Sequence, residues 1–217
     1  MLSKLREPVN GLTHLAGAIA GFFGMIAMLF LARGDAVKTV SVLVYSLGLM
    51  AMFSASGIYH SAVVKPAAQQ TLRKIDHSAI FLLIAGTYTP FCLLAFKGFW
   101  HWGLLVLIWA IAAIGIVIKV YYINSPRWLH TGIYVLMGWI CVMAAPQMPS
   151  VLPTAALVWL FVGGVIYTLG AVVYATKILD FVPGKFGFHE VWHIFVLLGA
   201  LAHFIAVLAL LAVPPVA

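Results

Sequence analysis

Two short stretches of this 217-residue sequence set histidines one helical turn from a polar partner: Ser56 and His60 in SASGIYHS, and His189 and His193 in FHEVWHIF. Residues four apart share one helix face about 6 Å apart. A third stretch, RKIDHSAIF, supplies Asp76. Three imidazoles are the ligand set of a catalytic zinc ion that keeps its fourth position open. A carboxylate and a hydroxyl beside them could accept a proton and orient a water or an oxyanion. Any one of these histidines alone reads as an interfacial hydrogen-bonding group; the two spaced pairs and the carboxylate together point to metal.

HEVWH also spells H-E-x-x-H, the zinc-protease helix signature in which the glutamate is the general base. Here Glu190 falls about 100° round the helix from the histidine face. The extended protease pattern needs glycine and histidine where this sequence has Val196 and Gly199. Nothing ionisable follows His203 to act as a ligand from a later helix. The glutamate match is expected to be coincidental.

The other polar residues read differently. Glu7, Asn10 and His14 share one face of a helix and could brace the site or anchor the N-terminus at a membrane surface; Gly17 and Gly21 continue that stripe and suggest close packing. His203 is about 15 Å along the helix from His193, too far to share an ion. His77, next to Asp76, is expected to face elsewhere, and His101 and His130 to be structural groups near the membrane boundary. Cys92 and Cys141 fall inside apolar runs, as small buried hydrophobes do.

These residues sit in a chain that is 65% hydrophobic and 8% charged. A soluble domain carries about 25% charged residues, so this is a membrane protein. Apolar runs long enough to cross about 30 Å of hydrocarbon occupy approximately 12–32, 39–62, 77–96, 100–122, 129–149, 154–175 and 189–212. The expectation is an all-α, seven-transmembrane helix bundle forming a single domain over 1–217. Of the 12 Lys and Arg residues, all but Arg33, Lys38 and Lys97 fall on the side of the N-terminus. The positive-inside rule then places the N-terminus in the cytoplasm and the C-terminus outside. The ends of the second span and the starts of the third and seventh share the cytoplasmic side, so Ser56, His60, Asp76, His189 and His193 share one depth. Topology accounts for the net charge of +7, and no nucleic acid is needed as a partner.

The set S-x-x-x-H, D and H-x-x-x-H, in this order and accompanied by EPVNGLTH and KIDHSAIFLLIAGTYTP, resembles the hemolysin III family, within the superfamily of adiponectin and progestin receptors. The resemblance runs along nearly the whole chain. It implies that His60, His189 and His193 are zinc ligands, that Asp76 interacts with the zinc-bound water, and that Ser56 is a further polar member. It also implies a bacterial inner-membrane location and metal-dependent hydrolysis of a membrane lipid, with an amide as one candidate bond. The family name brings a cytolytic pore former as the alternative, and a zinc-stabilised transport or homeostasis protein is a third. The receptors' long cytoplasmic N-terminal domain has no counterpart here, so receptor signalling does not carry over.

The charge distribution makes a testable statement. A reporter fused after Ala217 should be active only outside the cytoplasm, and one placed near Arg73 only inside it. A cytoplasmic C-terminus would overturn the shared depth of the five residues.

Overall fold

The computed structural model describes residues 5–182 and 186–212. Lys4 and Lys185, which enter the charge count above, and the last five residues lie outside the described part. Among the described residues eight α-helices follow in order: α1 (Pro8–Leu31), α2 (Ala36–Ser61), α3 (Pro66–Leu94), α4 (Phe99–Tyr121), α5 (Arg127–Trp139), α6 (Met148–Val151), α7 (Thr154–Thr176) and α8 (Phe188–Leu211). Among the described residues, α1, α2, α3, α4, α7 and α8 are long and apolar enough to cross a membrane. Large apolar side chains such as Phe23, Phe30, Trp102 and Phe161 point outward, the arrangement a lipid solvent requires and water would penalise.

Helix boundaries follow local chemistry. Pro8 and Pro66 open α1 and α3, positions where the missing N–H has no partner to lose. The Asp35 carboxylate caps α2 by accepting from the Lys38 backbone N–H at 2.9 Å. Because Pro66 starts α3 well before its apolar run, Arg73, Lys74 and Asp76 are all helical, and the basic first turns extend past the apolar span.

The fifth apolar run departs from expectation. Its α-helix stops after 13 residues at Trp139, continues as a 3-10 segment over Ile140–Ala144 and ends in the four-residue α6. The cause is a side chain inserted into the helical ladder. The Tyr88 hydroxyl of α3 accepts from the Cys141 N–H at 2.8 Å and lies 2.9 and 2.7 Å from the Met137 and Gly138 carbonyls. In an unbroken helix Cys141 would donate to Met137 directly, so one phenol replaces that rung.

Neighbouring helices close a ring: α1 packs on α2, α2 on α3, α3 on α5, α5 on α7, α7 on α8 and α8 on α1, while α4 packs chiefly against α3. The ring encloses a cavity of about 770 Å³. Gly17 lies against Leu197 and Phe53, and Gly21 against Leu49, the close packing expected of that stripe. Backbones approach most closely where α2 crosses α3: a Cβ at Gly48 would stand 2.7 Å from the Leu82 carbonyl oxygen. Replacing Gly48 by Ala should cost about 1–3 kcal/mol, read as a lower melting temperature in detergent. Gly138→Ala, whose Cβ would meet nothing within 4 Å, should leave the melting temperature near that of the wild type; equal effects of the two would contradict this packing.

Candidate metal centre

At the end of the ring where α2 finishes and α3 and α8 begin, three imidazoles converge. His60 comes from the last turn of α2, and His189 and His193 from the first two turns of α8. Their ring centroids form a near-equilateral triangle, with His60 5.0 Å from His189 and 4.7 Å from His193, and His189 5.0 Å from His193. One ring nitrogen from each lies within 4.8 Å of the others, so the group could hold a metal ion. The donor set fits a borderline-soft ion such as zinc.

Asp76 and Ser56 complete the set foreseen from the sequence. Both are buried and both line the cavity beside the three histidines, with the Ser56 hydroxyl interacting with the Asp76 carboxyl. The five residues come from α2, α3 and α8, which the ring brings together because α3 packs on both α2 and α8.

The N-terminal stripe braces this centre. Glu7 Oε2 sits 2.5 Å from His60 Nδ1, which leaves Nε2 of His60 for an ion and fixes the ring's orientation, as carboxylates do for metal-binding histidines. The Glu7 backbone N–H also donates to the His60 carbonyl at 2.9 Å. Burial raises the pKa of the Glu7 carboxyl, but the His60 ring, Arg6 and Asn10 outweigh burial and bring it down to about 2. His14 stacks on His193 with ring centroids 3.9 Å apart, and both its ring nitrogens are buried without partners. Of the two roles open to this stripe, the structure shows bracing.

Glu190 has a structural occupation. Its Oε2 accepts from the Gly187 N–H at 2.8 Å and so caps α8; its Oε1 accepts from Asn10 Nδ2, also at 2.8 Å. One oxygen caps α8 and the other ties it to α1, consistent with a motif match that carries no protease chemistry. His203 is likewise accounted for, since Nε2 donates to the Leu160 carbonyl at 3.1 Å. His101 approaches the Phe96 carbonyl and packs edge-on against Trp102.

The expectation for His77 needs correcting. Instead of facing away, it lines the same cavity as Asp76, because about three turns into α3 more than one face of the helix meets the interior. His130 is structural in its bonding, to Lys119 and to the Ser125 carbonyl, yet it too lines the cavity.

The Glu7–His60 contact generates a prediction. Glu7→Gln keeps the shape but weakens the orienting interaction, and metal affinity should fall about 10–100-fold in a chelator competition titration. Glu190→Gln should leave affinity within a few-fold of the wild type. A larger loss for Glu190→Gln than for Glu7→Gln would reverse the roles assigned to the two acids.

Comparison with known proteins agrees with this architecture. Residues 2–204 match the family model described as haemolysin-III related. The chain is 34% identical to a hemolysin-3 homolog of Bacillus subtilis over 96% of its own length and 95% of that protein's. It is 34% identical to hemolysin-3 of Bacillus cereus, covering 93% and 90% of the two chains. A human monocyte to macrophage differentiation factor is 27% identical, over 91% and 81%. The chain is a multi-pass membrane protein that belongs to the haemolysin-III-related family, within the progestin and adiponectin receptor superfamily.

Proposed function

We propose that this protein is a zinc-dependent hydrolase of a membrane lipid, with an amide as the candidate scissile bond. The observation that carries the reading is the junction of two unlike environments. The cavity holds His60, His189, His193, Asp76 and Ser56 at one end and is lined by apolar side chains such as Leu83, Phe91 and Met148 farther along. Phe91 is 15 residues beyond Asp76 on α3, about 22 Å, a length suited to an acyl chain. Pockets of this size and lining accommodate mostly apolar ligands oriented by a few polar groups.

Within this reading His60, His189 and His193 hold the ion, Glu7 orients His60, and His14 packs against His193. When bound, zinc supplies a Lewis acid and lets a water ionise near neutral pH. Asp76 then accepts a proton at its carboxylate and returns it to the leaving group. Ser56 holds the Asp76 carboxyl in place and offers a hydroxyl to the oxygen that gains negative charge. The apolar walls keep bulk water from the reacting end.

Seven crossings with the N-terminus in the cytoplasm belong to the same proposal. The 13 residues of α5 and the five of the 3-10 segment together reach about 30 Å, enough to complete the fifth crossing despite the break at Trp139. The metal centre would then lie near the cytoplasmic face of a bacterial inner membrane. The name of the Bacillus cereus relative favours a second reading, cytolysis by pore formation. A cavity lined mostly by apolar side chains offers that reading little polar surface along which water or ions would pass.

Removal of ligand and removal of base should be separable. Purified protein should carry about one zinc per chain. His60→Ala, His189→Ala or His193→Ala should strip the ion and lower the melting temperature, because metal binding is linked to folding. Asp76→Asn should keep most of the metal and lose hydrolysis of lipid extracts by at least about 100-fold. Hydrolysis by Asp76→Asn at the wild-type rate, or none by zinc-loaded wild type, would contradict the hydrolase.

A further inference from the structure

Basic residues gather at the metal end of the cavity without a carboxylate partner among the described residues. Arg73 of α3 and Arg127 of α5 line the cavity there, with His77 and His130 between the same helices. Among the described residues neither arginine is ion-paired, since the ion pairs present both use Glu7. Arg127 lies over the rings of Tyr174 and Phe188, 5.5 and 5.3 Å from their centroids, which braces the flat face of the guanidinium and leaves its N–H edge for a ligand. Among the described residues Arg73 makes one long hydrogen bond, 3.5 Å to Asn124 Oδ1. Both guanidinium groups are within Coulomb reach of the Tyr174 hydroxyl, and Arg127 is within reach of His189.

Behind this surface lies Lys119, only 2% exposed. It donates to His130 Nδ1, while His130 Nε2 donates to the Ser125 carbonyl at 2.7 Å; these partners fix His130 as the neutral tautomer that accepts at Nδ1. No carboxylate faces Lys119 among the described residues, and a buried charge without a counter-ion is costly. His77 adds a buried Nδ1 with no partner, on a ring 6.0 Å from that of His130. Two arginine forks from different helices, an orphaned imidazole nitrogen and a buried ammonium exceed what the two oxygens of one carboxylate can satisfy. They suit a phosphate monoester, with its three terminal oxygens and charge of about −1.5 to −2.

We propose that this end of the cavity is a phosphate-binding site formed by Arg73, Arg127 and His77, with Lys119 behind it, and that the lipid admitted carries a phosphate beside the bond presented to the three histidines. This specifies the substrate class of the hydrolase reading and rests on it. Phosphate as a lipid headgroup and phosphate as a free anion share the same chemistry, so the test must separate them.

Binding is best measured on metal-loaded Asp76→Asn protein, so that turnover does not intervene, using short-chain dihexanoyl phosphatidic acid, dihexanoylglycerol and inorganic phosphate in separate titrations. Phosphatidic acid should bind at least about tenfold more tightly than either of the others. Arg73→Gln and Arg127→Gln should each weaken it by roughly tenfold or more without changing metal content or the binding of dihexanoylglycerol. Arg73→Lys, which keeps the charge and the fold but not the fork, should recover part of the loss. Equal affinity for the phosphate-bearing and phosphate-free lipids, or arginine variants that weaken both alike, would overturn the proposal. Inorganic phosphate binding as tightly as phosphatidic acid would overturn the lipid assignment. Phosphate-selective lipid binding by a wild type that hydrolyses no lipid would support this site and count against the hydrolase reading alone.

Discussion

Polar groups inside a lipid-embedded bundle have no water to fall back on, so each must be satisfied by another part of the chain or by a bound species. At the metal end of this protein that constraint falls on His60, His189 and His193, packed within 5.0 Å of one another. Three imidazoles at that distance present lone pairs to a common point, and an ion is the partner that can satisfy them together. Much of the surrounding architecture follows from holding them there. Glu7 turns His60, Glu190 fixes the start of α8 and ties it through Asn10 to α1, and the close approach of α2 and α3 at Gly48 sets the depth at which Asp76 meets Ser56.

The same constraint explains the irregular fifth apolar run. A helix that ends inside hydrocarbon would expose carbonyls and N–H groups, yet here the Tyr88 hydroxyl supplies both an acceptor for Cys141 and a donor for a freed carbonyl. The break is therefore tolerated because one hydroxyl from α3 takes up the backbone groups freed at that rung. It also shapes the far part of the cavity, where Cys141 and Met148 form the wall.

What was legible in the sequence was whatever a single helix encodes. The spacing of Ser56 with His60 and of His189 with His193 gave their faces directly, and charge asymmetry gave them a common side. Contacts between distant segments were less readable. Periodicity places Glu7, Asn10 and His14 on one face but cannot say which helix that face meets, and so left bracing and surface anchoring equally open. Tyr88 is about fifty residues from the rung it replaces, so the run 129–149 looked like one uniform span. The offset of His77 from Asp76, about 100°, does not decide its surroundings, because α3 shows more than one face to the interior at that level. The sequence did show Glu190 off the histidine face; its two hydrogen bonds show why it is there.

The central claim is that three histidines from the ends of α2 and α8 form one metal centre. X-ray absorption at the metal edge of purified protein, in membrane-mimetic solution, reads that coordination directly. A four-coordinate zinc with three imidazole nitrogens at about 2.0–2.1 Å is the expected result for the wild type, and His60→Ala protein should lose the zinc signal with the ion. A first shell of sulfur, or of six oxygens, or a spectrum unchanged by His60→Ala, would contradict it.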